Sequence, residues 1–369
     1  MRIVMLTPYW LSTTGGMTTY VYNLVEELKK RPENRVVVIT CDASPGVIAV
    51  RGNKLVLLIK IIEVLRKVKP DVIHCHVHFI LLMSALLYRM LFNHRGVVTF
   101  TFHTQPPQIL SLKNVKTKRK PWWRRKIISW ELEKCNIITC VSVALAENLM
   151  SIGLPIKGFA ITPPGVRKRD VVPGQATQFR RAYGLKDAFP IICTVGVLTW
   201  DWKVKGIEIL IEAFAKIVAT YPDAKLLIVG DGQYRSHLES LTEQMGMQNS
   251  AIFTGNVENP FIALSTSDIY CHLASNEAVG ISLLEAMISG KPVVGANAGG
   301  IREIVTSGQD GILVEPNVED VTEALFSLIR DPDMRKSLGT NAKISAATRF
   351  LWSETAGRFM ELYRRSLNR

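Results

Sequence analysis

The stretch that decides the fold runs from Ser275 to Val305 and reads SNEAVGISLLEAMISGKPVVGANAGGIREIV. An apolar helical pattern starts after Gly280 and ends at Gly290. A short β-branched strand follows, then the pair Gly299-Gly300, and a further helix is predicted to start near Ile301. Helix, strand and helix in such close succession are typical of a parallel sheet covered by helices.

The same alternation continues along the whole chain. Strand-like runs read RIVMLT, RVVVIT, DVIHCH, GVVTFTFH, IITCVS and FAITPPG in the first half, and PIICTVGVL, AKLLIVGDG, AIFTGN, DIYCHLAS, PVVGANAGG and GILVEP in the second. This predicts an α/β protein with two Rossmann-like doubly wound domains. A polar, basic stretch with Pro173-Gly174 separates them. We assign residues 1–166 to an N-terminal domain, 167–188 to a linker, 189–349 to a C-terminal domain and 350–369 to a helix that packs back on the first domain.

Length and composition agree with two domains and limit the chemical classes of partner that are expected. A chain of 369 residues exceeds the size at which one core normally keeps growing. The formal charge of +13 favours phosphates, nucleic acid or anionic lipid as partners. The six cysteines form no Cys-x-x-Cys pair, which favours buried thiols in a reducing cytosol. The start, MRIVMLTPYW, does not resemble a signal peptide, so we expect a cytoplasmic protein.

The segment Ser275–Val305 also predicts an anion site. The two predicted helix starts, after Gly280 and near Ile301, open toward one place, and free backbone N–H groups at a helix start suit a diphosphate without a metal. The carboxylates of Glu277 and Glu285 would repel phosphates, so we interpret them as acceptors for sugar and ribose hydroxyls. Without the flanking glycines, such a glutamate pair is more often a solvated helix face or a cap.

On these residues, Ser275–Val305 resembles the donor-binding signature of the large retaining glycosyltransferase family with the GT-B fold, and the resemblance covers nearly the whole chain. This family includes phosphatidylinositol mannosyltransferases, sucrose synthases and many polysaccharide and lipopolysaccharide enzymes. The resemblance implies two Rossmann-like domains facing across a deep cleft, the first taking the acceptor and the second the donor. It implies that a hexose moves from a UDP- or GDP-linked donor with retention of configuration, with no other cofactor and no metal.

The resemblance also implies roles for individual residues. The first glutamate of the pair, Glu277, contacts the donor hexose and the second, Glu285, the ribose. The donor site is completed by the residues that follow Glu277, which are Ala278, Val279, Gly280 and Ile281. Gly15 and Gly16 match the glycine loop near the donor phosphates and the acceptor. Lys205, followed by a helix opening at Gly206, matches the lysine that holds the diphosphate and stabilises it as leaving group.

Further positions complete the predicted site. His103, at the end of the strand in TFHT, matches the family histidine near the reacting sugar; a single histidine there is otherwise more often structural. The catalytic residues implied are His103, Glu277 and Lys205. The nucleotide base is expected against the turn with Gly230 and Gly232 and the strand end at Asn256.

One position departs from the family pattern. The family usually has an arginine between glycine and leucine in the strand before the diphosphate lysine, and this chain has Val197 there. The loop that follows, TWDWKVKG, is longer than usual and contains an extra cation, Lys203. Our hypothesis is that Lys203 supplies the missing charge. The alternative is a chain with weak or altered donor chemistry.

Two other clusters suggest metal sites. His74, Cys75, His76 and His78 in DVIHCHVH could present ligands from one strand, but the family commonly has histidines there without metal. The triplet Asp331-Pro332-Asp333 resembles a metal-binding motif of another glycosyltransferase fold, but its setting is that of a helix start. We predict no metal site.

The stretch Lys113–Lys126 reads KNVKTKRKPWWRRK and contains eight basic residues, no acidic ones and two adjacent tryptophans. Basic residues attract anionic head groups and Trp prefers the membrane–water boundary, so peripheral contact with the inner face of the membrane and a lipid-linked acceptor are predicted. A solvated loop is the alternative. No nucleic-acid-binding signature is present in the sequence, and the oligomeric state is left open.

Two other functional classes compete with a transferase. A sugar-nucleotide epimerase would use the same diphosphate site with additional acid–base groups, and a non-catalytic sugar or lipid binder would fit the departure at Val197. A dinucleotide-dependent oxidoreductase would need Gly-x-Gly-x-x-Gly after the first strand, where this chain reads TPYWLSTTGG.

Overall fold

The computed structural model describes residues 1–10, 15–76, 78–104, 122–153, 156 and 158–368. The chain divides into two compact units. The first comprises Met1–Gly165 together with Trp352–Arg369, and the second is Val166–Leu351. The first unit therefore contains both ends of this chain, and the second unit is a single continuous segment.

The first unit has a seven-stranded parallel sheet. Its strands are β1 (Arg2–Thr7), β2 (Arg35–Thr40), β3 (Ile48–Ala49), β4 (Val72–His76), β5 (Val97–Phe102), β6 (Ile137–Cys140) and β7 (Ala160–Ile161). Its helices are α1 (Gly16–Lys29), α2 (Lys54–Val68), α3 (Phe79–Phe92), α4 (Trp122–Lys134) and α5 (Val143–Met150). The strand order is β3-β2-β1-β4-β5-β6-β7.

The central strand β1 shows why the sequence folds in this way. All five residues after Arg2 are buried, because helices cover both faces of a parallel sheet and leave no solvent side. Such a strand reads as a continuous apolar run, as IVML does here. The register pairs Met5 with Val38 on β2 and with His74 on β4.

The second unit has a six-stranded parallel sheet of order β10-β9-β8-β11-β12-β13. Its strands are β8 (Ile191–Val195), β9 (Lys225–Val229), β10 (Ala251–Gly255), β11 (Ile269–His272), β12 (Val293–Ala296) and β13 (Ile312–Val314). Its helices are α6 (Gln175–Ala182), α7 (Asp201–Thr220), α8 (Arg235–Gln244), α9 (Pro260–Thr266), α10 (Ile281–Ile288), α11 (Ile301–Ile304), α12 (Val318–Arg330) and α13 (Pro332–Arg349). The two doubly wound α/β halves confirm the predicted fold class.

The last helix, α14 (Trp352–Leu367), is part of the first unit. Its side chains Trp352, Phe359 and Tyr363 are buried there. The Trp352 ring contacts Tyr20 of α1 edge-on at 5.3 Å between centroids. The Tyr363 hydroxyl lies 2.7 Å from His74 Nδ1 on β4. Aromatic packing and a buried hydrogen bond therefore join the end of the chain to the first sheet.

Some predicted segments differ from the structure or lie outside it. The segment 167–188, predicted as a linker, belongs to the second unit and contains α6. Of the basic stretch Lys113–Lys126, residues 113–121 lie outside the described residues, and the remainder begins α4. Among the helices that the structure describes, none is long and apolar enough to span a bilayer.

Candidate active site

Each sheet has one point where the strand order reverses, between β1 and β4 in the first unit and between β8 and β11 in the second. Ligands of such sheets bind beyond the carboxyl ends of the strands at this switch point. In the second unit, β8 ends at Val195 and β11 at His272. A pocket there is lined by Val195, Val197, Lys203 and His272, among others.

Glu277 lies five residues beyond the end of β11, and two side chains contact one of its oxygens. Lys203 Nζ lies 2.9 Å from Oε2, and His272 Nε2 lies 3.3 Å from the same atom. The Glu277 side chain is 11% exposed. Burial alone would raise the pKa of this carboxyl, but the charge of Lys203 and the hydrogen bond with His272 outweigh it and lower the pKa to about 2. Glu277 is therefore an anion with a fixed orientation.

A glycine explains how Lys203 reaches Glu277. Lys203 is in the first turn of α7, and a Cβ at Gly206 would lie 2.5 Å from the carbonyl oxygen of Leu273. Because Gly206 has no side chain, α7 can start against the end of β11. The helix begins at Asp201, not at Gly206 as predicted, since residues 201–205 continue the helix N-terminally.

The two lysines of α7 have different environments. Lys203 is partly buried, pairs with Glu277 and lines the same pocket as Val197, whereas Lys205 is exposed. Residues two apart on a helix do not share a face, and it is Lys203 that contacts Glu277. The structure therefore brings Lys203 to the position near Val197 where the family arginine is missing. The role predicted for Lys205 stays a prediction.

The Gly299-Gly300 turn holds the backbone of the Glu277 loop. A Cβ at Gly300 would lie 1.9 Å from the carbonyl oxygen of Ala278, and one at Gly299 would lie 2.5 Å from that of Glu277. The Gly300 N–H donates to the Glu277 carbonyl at 2.9 Å. The helix predicted to start near Ile301 is present as α11, a single turn, and the Gly300 N–H that precedes it is used by the loop. That this helix start opens toward the anion site stays a prediction.

Helix α10 starts directly after Gly280, as predicted. Gly280 adopts a left-handed conformation (φ 84°) that only glycine adopts without strain, and no side chain caps the helix. Ala278 and Val279 lead into it, and Ile281 is its first residue. A Cβ at Gly280 would lie 3.5 Å from Glu277 Cγ, so the start of this helix, with the positive end of its dipole, is near the Glu277 side chain.

Glu285 is in the second turn of α10 and is partly buried. Burial raises the pKa of its carboxyl to about 7, and the nearby charge of Arg169 opposes part of this shift. The two glutamates therefore differ in protonation: Glu277 is ionised throughout the physiological pH range, whereas Glu285 titrates near neutral pH.

The turn expected to hold the base lies beside the pocket wall. A Cβ at Gly230 would lie 1.9 Å from the Gly196 carbonyl oxygen, and one at Gly232 would lie 2.3 Å from that of Leu198. The Gly230 N–H donates to the Gly255 carbonyl at 2.9 Å, next to the exposed Asn256. The structure thus brings Gly230, Gly232 and Asn256 together at the ends of β9 and β10.

The remaining predicted residues are in the first unit. Gly15 precedes α1 and Gly16 begins it. Tyr20 of α1 contacts the His103 ring edge-on, with the ring centroids 4.7 Å apart. Burial lowers the pKa of His103 to about 3, so its imidazole is neutral at physiological pH. His103 therefore offers a hydrogen bond and not a charge.

The histidines of β4 have protein partners in this structure. His74 contacts Tyr363 through Nδ1 and Thr101 through Nε2, at 2.7 and 2.6 Å. His76 Nδ1 lies 2.9 Å from His103 Nε2. Within the described part of the chain, no three His, Cys, Asp or Glu side chains are grouped so that they could hold a metal ion.

Sequence reasoning missed Tyr270 and His272, two buried polar residues on β11. Alternate residues of a strand share a face, and a histidine that ends a strand was the signal used for His103. The strand in DIYCH also ends on a histidine, and this is the signal that identifies His272. The contact with Glu277 makes His272 part of the site.

Two family models match the chain without overlap. Residues 175–345 match the glycosyl transferases group 1, and residues 14–169 match glycosyltransferase family 4. The N-acetyl-alpha-D-glucosaminyl L-malate synthase of Bacillus anthracis is 27% identical, covering 84% of this chain and 78% of the relative. The phosphatidyl-myo-inositol mannosyltransferase of Mycolicibacterium smegmatis is also 27% identical, covering 98% and 93%.

A solved structure shows the same fold. Anabaena HepE in complex with UDP and glucose superposes with a TM-score of 0.81, covering 99% of this chain and all of the HepE chain, at 20% identity. A likeness at this identity concerns the fold alone, and the two parallel-sheet halves described above are common to both proteins.

Proposed function

The chain belongs to the group 1 glycosyltransferases, and from this premise we propose that it moves a hexose from a nucleotide-diphosphate sugar to an acceptor with retention of the anomeric configuration. One observation carries the proposal. The carboxylate of Glu277 is held as an anion at the switch-point pocket by Lys203 and His272, beside the uncapped start of α10. A fixed acceptor next to anion-binding groups suits a ligand that has both hydroxyls and phosphates.

The proposed roles follow from charge. Glu277 accepts hydrogen bonds from the hexose, and Glu285 accepts them from the ribose. Lys203, Lys205 and the N–H groups at the start of α10 receive the diphosphate, whose negative charge increases as the glycosidic bond breaks. Stabilising that charge with preorganised donors lowers the barrier, and in this proposal no metal is needed. His103 is a neutral hydrogen-bonding group near the reacting sugar.

The donor we propose is UDP- or GDP-linked. HepE structures contain UDP and UDP with glucose, which supports UDP-linked hexoses as the first to be tested. The base is expected against Gly230, Gly232 and Asn256, where the two glycines let neighbouring backbone approach closely.

The acceptor we propose is lipid-linked, and we expect the enzyme in the cytoplasm with peripheral contact at the inner face of the membrane. Two observations support this: the basic, Trp-containing stretch Lys113–Lys126, and the similarity to a phosphatidyl-myo-inositol mannosyltransferase. Neutralising the basic residues of this stretch should abolish binding to anionic liposomes. Unchanged binding would contradict the proposed contact.

Nucleotide release tests the reaction itself. The protein is incubated with UDP-, GDP- and ADP-sugars, with and without a lipid acceptor and in the presence of EDTA. We expect release with one base, faster with acceptor and unaffected by EDTA. No release with any donor would favour a non-catalytic binder, and interconversion of the sugar without release would favour an epimerase.

Two lysine variants test the diphosphate site. Lys203→Ala should weaken donor binding and slow turnover if Lys203 replaces the missing arginine at Val197. Unchanged kinetics of Lys203→Ala, together with lost activity of Lys205→Ala, would assign the diphosphate to Lys205 alone.

A further inference from the structure

Two polar side chains of β11, Tyr270 and His272, connect Glu277 to the interior of the second sheet. The Tyr270 side chain is fully buried and His272 is 5% exposed. Two residues apart on a strand, they lie on one face. The Tyr270 hydroxyl is 3.2 Å from His272 Nδ1, and His272 Nε2 is 3.3 Å from Glu277 Oε2.

The partners determine the direction of each hydrogen bond. Glu277 pairs with Lys203 at 2.9 Å, so its carboxylate is ionised and can only accept. His272 Nε2 must therefore carry the proton. In a neutral imidazole the other nitrogen, Nδ1, is then an acceptor, and the Tyr270 O–H is the donor that it faces. Two other groups lie near this hydroxyl: the Val195 carbonyl, further away at 3.5 Å, and the Ser282 side chain.

We propose that His272 is a positioning residue that holds the Glu277 carboxylate toward the donor sugar, and that Tyr270, by donating to Nδ1, supports the tautomer that Glu277 selects. The proposal rests on the proposed function, in which Glu277 accepts hydrogen bonds from the hexose. It resembles the way in which a buried carboxylate fixes the tautomer of a catalytic or metal-bound histidine, but here the histidine is the orienting group.

This arrangement has a consequence for donor binding. Lys203 and His272 both contact Oε2, so the other oxygen, Oε1, is available to the sugar. A flexible lysine is drawn to an incoming diphosphate, because a doubly charged group attracts it more strongly than one carboxylate does. His272 is fixed in a strand and keeps Glu277 in place when Lys203 moves to the phosphates.

Paired variants separate positioning from a general structural role. The amide nitrogen of His272→Gln reaches the position of Nε2 and can still donate to Glu277, whereas His272→Leu cannot. The matched control is His237→Leu, which removes an exposed histidine that lies 2.6 Å from Glu208 in the same unit. Tyr270→Phe removes only the hydroxyl.

The first measurement needs no donor. Long-range ¹H–¹⁵N spectra should show His272 as the Nε2–H tautomer in the wild type, and still mainly so in Tyr270→Phe, where Glu277 alone selects it. A ¹³C titration should show the Glu277 pKa rising in His272→Leu and unchanged in His272→Gln and His237→Leu. An Nδ1–H tautomer in the wild type, or the same Glu277 titration in His272→Leu as in the wild type, would overturn the proposal.

The second measurement compares UDP-glucose with UDP, or GDP-mannose with GDP if the release assay selects that base. His272→Leu should weaken binding of the nucleotide sugar about 10- to 100-fold, the range expected for losing a hydrogen bond to a charged group, and leave the free nucleotide unaffected. In a Glu277→Gln background it should have no further effect. Positioning would be refuted if His272→Leu weakened binding of the nucleotide sugar and of the free nucleotide equally. It would also be refuted if the losses of affinity in His272→Leu and Glu277→Gln were additive in the double variant. If no nucleotide sugar binds while the spectra show the predicted tautomer, the proposed function fails and the contact stands.

Discussion

Replacing Lys203 with methionine removes the positive charge that lies 2.9 Å from the Glu277 carboxylate and keeps most of the apolar stem. The pKa of Glu277 is about 2 against an ordinary value of 4.5, and the charge of Lys203 is the largest cause of the lowering. One pKa unit corresponds to about 1.4 kcal/mol, so the ionised carboxylate contributes up to about 3 kcal/mol to stability at neutral pH. Both partners are less than a quarter exposed, so solvent screens the pair only in part.

The sign of the pH dependence follows from the lowered pKa. This stabilisation is fully present above pH 4.5 and is lost as the pH falls toward 2, because the native carboxylate must then be protonated. In Lys203→Met the burial of Glu277 is opposed only by His272, and the pKa of Glu277 rises toward its ordinary value of 4.5. We therefore expect the variant to lose up to about 3 kcal/mol at pH 7, and the difference from the wild type to shrink between pH 4.5 and pH 2.

Native-state hydrogen exchange of the β8 and β11 amides measures this loss of stability in the second unit alone, since both strands belong to that unit. Lys205→Met, two residues away and exposed, is the control and should change the free energy of opening by less than about 0.5 kcal/mol. Equal values for the two variants at pH 7 would show that the ion pair does not stabilise the site.

Three further changes test other parts of the structure. Gly300→Ala places a Cβ 1.9 Å from the Ala278 carbonyl oxygen, so the Glu277 loop must shift. We expect calorimetric titrations to show binding of the nucleotide sugar weakened by at least tenfold. Unchanged affinity would contradict this packing. Glu285→Gln removes a carboxyl whose pKa is raised to about 7, so the variant does not lose the stability that the wild type loses as this carboxyl ionises between pH 4.5 and 7. In thermal melts the melting temperature of the variant, compared with that of the wild type, should be higher at pH 8 than at pH 5. The same difference at both pH values would be evidence against the raised pKa. Tyr363→Phe leaves His74 Nδ1 without its 2.7 Å partner, and urea unfolding should show a loss of about 1–3 kcal/mol; no loss would mean that the hydroxyl does not contribute.

Much of the fold could be predicted because local patterns determine it. The apolar run RIVMLT became β1 over Arg2–Thr7, and the glycine at Gly290 adopts the left-handed conformation that ends α10. Both signals depend only on neighbouring residues. The predicted start of α7 was five residues late because no side chain caps the helix at Trp200. The extra turn contacts residues distant in sequence, with Asp201 hydrogen-bonded to the Tyr234 hydroxyl and Lys203 paired with Glu277.

The site was harder to predict because its contacts are distant in sequence. Glu277 and Glu285 could be identified from one segment. The ion pair of Lys203 with Glu277 joins residues 74 positions apart, and it depends on Gly206 letting a helix approach a strand end. The same holds for Gly300, whose N–H donates to the carbonyl of Glu277, 23 positions earlier in the sequence. No local pattern reveals such a partner.

The position of α14 has a consequence for how the protein is made. The buried Trp352, Phe359 and Tyr363 complete the first unit, yet all of Val166–Leu351 is translated before them. At about 5–20 residues per second, the ribosome needs on the order of ten seconds or more to cover that interval. During this time the nascent first sheet lacks its last helix, and the surface around Tyr20 and His74 is uncovered. The first unit can therefore be completed only after the whole of the second unit has been synthesised.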